Sequence, residues 1–263
     1  MDLGLRDQVV LVTGSGVGIG RAIALAFASE GARIVVNSRS VITCEETLSM
    51  LRAQGADCMD AAFDIAHLED VRAAMQRVLS HYGRIDVLVN NAAVMVNNIA
   101  FVDKDPADCE REIAVSLFGT MHCTRAALPG MIEHGHGRIV NIISDAARVG
   151  QEKEVAYSAA KGGVISFTKS LAREVGRHGV TVNAVSPAAT DTPLRRAMLA
   201  RMAEKIGADG VVTREQKVRR AYPMGRIGQS EDTAALVLFL ASQQAFHITG
   251  QISSVNGGFA MPG

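Results

Sequence analysis

A doubly wound α/β fold, with one parallel sheet and helices on both faces, is the architecture this sequence predicts. Three observations carry it. Short apolar runs rich in β-branched residues alternate with segments of helical period along most of the chain. The first of these runs leads into a glycine-rich turn and then a helix. A length of 263 residues, with no repeat, low-complexity block or linker, suits a single domain with a full core.

Val9-Val-Leu-Val-Thr13 reads as a buried parallel strand. It enters Thr13-Gly14-Ser15-Gly16-Val17-Gly18-Ile19-Gly20, and residues 21–30 then read as a helix stopped by Gly31. A strand, a glycine turn and a helix form a phosphate cradle. Glycines let the backbone approach a diphosphate, and the helix N-terminus supplies N–H donors and the positive end of its dipole. Gly14, Ser15, Gly18, Ile19 and Gly20 are therefore candidate cofactor contacts, with a plain tight turn as the competing reading. No Gly-Lys-Ser/Thr follows, so the turn is not a P-loop.

Arg33-Ile-Val-Val-Asn37 is the second strand, and its end bears on the choice of nicotinamide cofactor. An acid there would take the adenosine ribose hydroxyls, whereas a base would take a 2′-phosphate. The chain has Asn37-Ser38-Arg39 and no acid. Ser38 and Arg39 favour NADP, with NAD as the alternative. Against this, Val17 puts no base in the turn, and Arg39 also reads as a solvated loop residue.

The alternation continues with a helix over 42–54, a strand over 58–63 ending at Asp64, a helix over 68–82 and a strand over 86–90. One long helix is expected over 106–134, ended or kinked late by Pro129-Gly130. Strands follow at 137–144 and 181–187, with a helix over 155–178 between them. Right-handed crossovers bring every strand C-terminus to one edge, where ligands bind in this architecture. The glycine turn, Asn37 to Arg39, Asp64, Asn90-Asn91-Ala92 and Ser144 all fall on that edge.

Tyr157 and Lys161 are four residues apart, so a helix stacks them on one face. A phenol of ordinary pKa near 10 is a poor acid or base at neutral pH, and an ammonium beside it is expected to lower that value. Such a pair can move a proton at an alcohol or carbonyl oxygen, and the Ser144 hydroxyl can bind the same oxygen. Taken alone, Tyr-x-x-x-Lys is a common accident of helices. The cofactor-like turn upstream gives it meaning.

Residues 193–222 break the alternation and read as a helical lid or substrate loop. They carry eight bases and three acids, an excess of five in a chain whose 27 Lys+Arg balance 27 Asp+Glu. Such a patch suits a phosphate-bearing substrate such as a coenzyme A or carrier-protein thioester, with a solvated helix face as the plain alternative. Met198 and Met202 lie within it as candidate pocket or packing residues. Ser230-Glu-Asp-Thr reads as a capped helix start, 234–241 as a buried helix and 251–256 as a seventh strand. A last helix and strand of this kind read as core or as a subunit interface.

The overall charge balance points to neither nucleic acid nor anionic membrane as partner. Cys44, Cys58, Cys109 and Cys123 form no C-x-x-C or zinc spacing and read as reduced thiols of a cytoplasmic protein. The N-terminus lacks a basic stretch followed by an apolar one, so no signal peptide is expected, and no apolar run reaches membrane-span length. His134-x-His136 has no third ligand in view, and no metal site is expected.

Together, Thr13-Gly14-x-x-x-Gly18-x-Gly20, Asp64, Asn90-Asn91-Ala92, Ser144, Tyr157-x-x-x-Lys161, Asn183-x-x-x-Pro187, Thr192 and Thr249-Gly250-Gln … Asn256-Gly-Gly258 resemble a short-chain dehydrogenase/reductase along nearly the whole chain. The nearest subgroup is the β-ketoacyl carrier-protein reductases and 3-hydroxyacyl-CoA dehydrogenases. The run from Gly137 to Gly150 also resembles enzymes of alicyclic hydroxyacyl-CoA. The resemblance implies a Rossmann-type seven-stranded sheet, with 1–135 mainly for the cofactor, 136–263 for catalysis and substrate, and a homotetrameric assembly. It implies that Tyr157 exchanges the proton, that Lys161 lowers its pKa and holds the nicotinamide ribose, and that Ser144 orients the carbonyl. Asp64 and Ile65 would hold the adenine. Asn91 and Ala92 would flank the ribose, and Pro187, Thr190 and Thr192 would hold the nicotinamide side. Three positions depart from the family pattern: Ser116 replaces the usual catalytic Asn that helps hold a proton-relay water, and Ala93 and Ala188 replace glycines beside the cofactor. The expected activity is interconversion of a ketone and a secondary alcohol, first a 3-oxoacyl thioester pair and second free cyclic or aromatic ketones. A nicotinamide-binding regulator with little turnover is the alternative of another class.

Overall fold

A computed structural model describes residues 2–262. The first half runs β1 (Val9–Val12), α1 (Gly18–Ser29), β2 (Arg33–Val36), α2 (Val41–Ala53), β3 (Cys58–Asp60), α3 (Leu68–Tyr82), β4 (Val87–Asn90), α4 (Pro106–Ile113) and α5 (Gly119–Glu133). The second half runs β5 (Gly137–Ile142), α6 (Ala146–Val149), α7 (Val155–Val175), β6 (Val180–Pro187), β7 (Thr190–Asp191), α8 (Pro193–Arg220), β8 (Gly228–Gln229), α9 (Ser230–Ala241) and β9 (Ile252–Val255). Among the described residues the main sheet has seven strands in the order β3-β2-β1-β4-β5-β6-β9, each pairing parallel. The strand order reverses between β1 and β4, and a crevice at the strand C-termini opens at such a switch point.

Period-two alternation sorts the strand side chains to two cores. Val10 and Val12 of β1 pack with Ile23 and Phe27 of α1, Leu48 of α2, and Val237 and Leu240 of α9. Val9 and Leu11 pack on the other face with Val71 and Val78 of α3, Cys123 of α5 and Val175 of α7. Each such side chain, fully buried, contributes about 1.5–3 kcal/mol, which adds to the strand preference of these β-branched segments. Helix α9 packs against α1, so its apolar face is core. No helix among the described residues is long and apolar enough to cross a membrane.

Four local expectations are corrected. The strand expected over 58–63 pairs only through Asp60. Beyond it the chain stays beside β2 through single bonds from Ala61 N to Val36 O (2.8 Å) and Phe63 N to Ser38 O (3.2 Å). The helix expected over 106–134 is interrupted by a π turn at Ala114–Phe118. Pro129 does not end α5, which runs four residues beyond it. Helix α9 is capped by Gln229 rather than Ser230, because the Asp232 carboxylate reaches back to the Gln229 N–H (2.7 Å).

Candidate active site

The cofactor side is built from the glycine turn. Gly14 and Gly18 adopt φ of 64° and 57°, the left-handed region that L side chains avoid. At Gly20 an added Cβ would overlap the Gly14 carbonyl oxygen and lie 2.5 Å from the Asn91 amide nitrogen. No side chain caps the start of α1, which leaves its first N–H groups for an anion. These features fit a dinucleotide diphosphate.

Asn37 and Asn91 hold this turn in place. Asn37 accepts from Gly14 N (3.1 Å) and donates to the carbonyls of Ala61 (2.9 Å) and Phe63 (3.2 Å). Asn91 donates through its amide to the carbonyls of Thr13 (2.9 Å) and Gly14 (3.2 Å). Thr13 Oγ1 accepts the N–H groups of Asn91 and Ala92, each at 3.0 Å. Asn37 and Thr13 are thus structural members of the site that were not read as such from the sequence. The signal available was a polar side chain at the end of an apolar strand.

Around the turn stand the other expected contacts. Ser15 is buried and donates to Val12 O (2.8 Å). Ile19 leads the first turn of α1 and packs at the edge of the core. Ser38 hydrogen-bonds Thr43 (2.7 Å), and Arg39 is exposed at the end of β2. Asp64 caps its own loop by accepting from Ala66 N (3.0 Å), and the carbonyl of buried Ile65 lies 3.1 Å from His122 Nδ1. Thr190 donates to Ala188 O (3.0 Å) just beyond Pro187, and Thr192 caps α8 by accepting from Arg195 N (3.2 Å). The Thr192 methyl lies 3.5 Å from the position a Gly18 Cβ would take. The start of α8 therefore stands beside the glycine turn, close enough to touch a side chain placed at Gly18.

The candidate reacting groups lie beyond the end of β5. Lys161, 2% exposed on α7, donates from Nζ to the Ile142 carbonyl (2.6 Å). Tyr157 is part-exposed as a residue, but its hydroxyl is desolvated. The expected lowering of the phenol by Lys161 is corrected here. Burial dominates and, aided by the Glu154 and Glu112 carboxylates, pushes Tyr157 up to about 12; the Ser144 hydroxyl is the group that pulls it down. Burial pushes Lys161 itself down to about 8. At neutral pH the pair is a phenol beside a weakened ammonium, which is a proton donor to a developing alkoxide.

Ser116 is fully buried within the π turn, a distortion common at functional positions. Its hydroxyl accepts from Val94 N (3.3 Å) and faces Val94 O (3.4 Å), the residue after Ala93. Ser144 Oγ accepts from Ala146 N (3.2 Å). Asp145, 1% exposed, accepts from Ser186 (2.6 Å) and Asn256 (2.6 Å), tying the ends of β5, β6 and β9 together. Among the described residues no three His, Cys, Asp or Glu side chains gather to hold a metal.

A strand, glycine turn and helix beside a Ser–Tyr–Lys set is a combination that known proteins share. A family model described as short chain dehydrogenase matches residues 8–203. The chain belongs to the short-chain dehydrogenase family. It is an NAD(P)-dependent oxidoreductase of that family. It is 37% identical to a 3-oxoacyl acyl-carrier-protein reductase of Synechocystis, over 98% of each chain. It is 37% identical to the hydroxy(phenyl)methylsuccinyl-CoA dehydrogenase subunit BbsD of Thauera aromatica, over 97% of this chain and 98% of the other. The ligand-free aldohexose dehydrogenase of Thermoplasma acidophilum superposes with a TM-score of 0.85 at 33% identity, covering 98% of this chain and 96% of that one.

Proposed function

We propose that this short-chain dehydrogenase interconverts a 3-oxoacyl thioester and its 3-hydroxyacyl thioester, with NADP preferred over NAD. The observation that supports the chemistry is the Ser144 hydroxyl bonding Tyr157, with Lys161 one turn further along α7 and its Nζ held on the Ile142 carbonyl at the end of β5. A bound nicotinamide supplies or accepts the hydride. The chain's own residues handle the oxygen. Tyr157 gives its proton to the carbonyl oxygen as charge develops there, Ser144 donates a hydrogen bond to the same atom, and Lys161 stabilises the phenolate left behind. Asn91 and Asn37 keep the turn open for the diphosphate, while Ala93, Pro187, Thr190 and Thr192 border the nicotinamide side. Asp64 and Ile65 border the adenine. In Ser116 a hydroxyl stands in for a longer amide, so its part is to anchor Val94 rather than to reach into the crevice.

Support for the thioester comes from the lid. Arg195 pairs with Glu215 (2.8 Å) and Arg196 with Asp191 (2.8 Å), while Arg201, Lys205, Lys217, Arg219 and Arg220 are exposed on its surface. Those side chains suit the phosphates of coenzyme A or a carrier protein. Two relatives are named for thioester substrates, and one of these names a phenyl-bearing acid, which keeps aromatic ketones as the second reading. The division of labour proposed is 1–135 for the cofactor and 136–263 for catalysis and substrate, in a cytoplasmic homotetramer.

The test is reduction of a 3-oxoacyl-CoA with NADPH and with NADH. Tyr157→Phe is expected to lose at least about a hundredfold in kcat, the span of one general acid. Arg39→Asp is expected to lose the preference for NADPH. The KM of the CoA ester is expected to rise with salt while that of a short uncharged thioester stays level. Full turnover in Tyr157→Phe would overturn the assignment, and an unchanged preference in Arg39→Asp would remove the NADP argument. Salt-independent KM values for both thioesters would remove the lid's role.

A further inference from the structure

Among the described residues, the most deeply buried ion pair lies outside the Ser–Tyr–Lys set. Lys104 Nζ and Glu112 Oε1 are 2.7 Å apart, with side chains 1% and 0% exposed. Stability alone does not explain it, because a well-packed apolar pair of similar volume usually serves a core as well or better. Its other bonds all go to one place. Glu112 Oε1 also accepts from Val96 N (2.8 Å), and Lys104 Nζ also donates to Asn97 O (3.2 Å). The Asn97 amide donates to Asp108 of α4 (2.6 Å), and Asn98 donates to Glu154 (3.1 Å).

These partners hold an irregular segment, residues 91–100, that leaves β4 at the ligand edge of the sheet. It exposes Met95, Val96 and Ile99 at 38%, 39% and 37%. Glu154 immediately precedes α7 and sits three residues before Tyr157, so the cluster joins α4, this loop and the head of the helix that carries the phenol. We infer that Lys104, Glu112, Asn98 and Glu154 form a clamp that positions the loop at 94–98 as one wall of the carbonyl site. The inference rests on the reading of Tyr157 given above. Burial and the negative charge of Glu112 raise the Glu154 carboxyl above its usual range. The charged and polar groups around Tyr157 are Glu154 just before α7, Lys161 within it, Ser144 from the end of β5, Glu112 from α4 and, through Glu112, Lys104.

The experiment replaces the pair by apolar residues of like size, Lys104→Met with Glu112→Leu, which keeps the core filled while freeing the loop. Hydrogen exchange of the 94–98 amides is expected to quicken by about tenfold or more, while α7 stays protected and NADPH binding is unchanged. The KM of the carbonyl substrate is expected to rise about fivefold or more, with kcat within about twofold. Glu154→Leu is expected to raise the same KM, and Glu154→Gln, which can still accept from Asn98, to leave it near the parent value. Unchanged exchange at 94–98 would overturn the clamp, as would faster exchange with an unaltered KM. If the double variant fails to fold, the Glu154→Leu and Glu154→Gln pair decides on the same two readouts. If the parent protein binds NADPH but reduces no carbonyl compound, the reading of Tyr157 falls, and the exchange result alone decides the clamp.

Discussion

At Tyr157 two effects oppose each other: desolvation holds the proton on, and the Ser144 hydroxyl helps take it off. With the phenol near 12, the protonated form is the one available to protonate a reduced carbonyl. Lys161, held down to about 8, is an ammonium below that pH and loses its charge above it. Reduction is therefore expected to hold level to about pH 8 and then decline. Oxidation needs the phenolate, whose fraction grows about tenfold per pH unit below the pKa, so its kcat is expected to climb between pH 7 and 9. Profiles of kcat in the two directions check this, and parallel profiles would contradict it. Ser144, Tyr157 and Lys161 could be picked out from the sequence because their chemistry resides in residue type and in a four-residue helical spacing. The direction of the Tyr157 shift could not, since it depends on what buries the hydroxyl, and Glu112 lies far away in the chain.

At the scale of elements, β1, the glycine turn and α1 act as one part. Gly20 is where the turn and the helix come closest, and the Gly14 carbonyl and Asn91 amide leave no room for a methyl. Gly20→Ala is expected to cost about 1–3 kcal/mol of stability, the usual range for overpacking. It is also expected to weaken NADPH binding by about tenfold or more, equivalent to 1.4 kcal/mol or above. Urea unfolding and a cofactor titration measure the two, and parental affinity would show that the turn yields without harm. This element was readable in advance because glycine spacing, a β-branched run and a helix stop all lie within a short stretch. The π turn at Ala114–Phe118 was not, because nothing in Ala-Val-Ser-Leu-Phe departs from helical composition. Nor was the brace at Asp145, whose partner Asn256 is 111 residues away.

For the whole molecule, alternation of strands and helices foretold a parallel sheet and gathered the ligand-side residues on one edge. The basic segment over 193–222 was also foreseen as helical. Its internal shape was not: Gly207, at φ 76° and ψ 163°, breaks α8 in two, and Arg195 and Glu215 fasten the halves together. That fold-back depends on a side-chain pair twenty residues apart, which local propensity does not encode. Thr192 has a further consequence. It begins α8 and also stands beside the glycine turn, so on the proposed reading of α8 as a lid the roof over the substrate is founded on the wall of the nucleotide groove. A coenzyme seated in that groove would brace the roof, and one arriving later would have to pass beneath it. Turnover is thus expected to follow a compulsory sequence, nucleotide on first and off last. Product-inhibition patterns from initial rates would reveal it, and a random pattern would mean that roof and groove open independently.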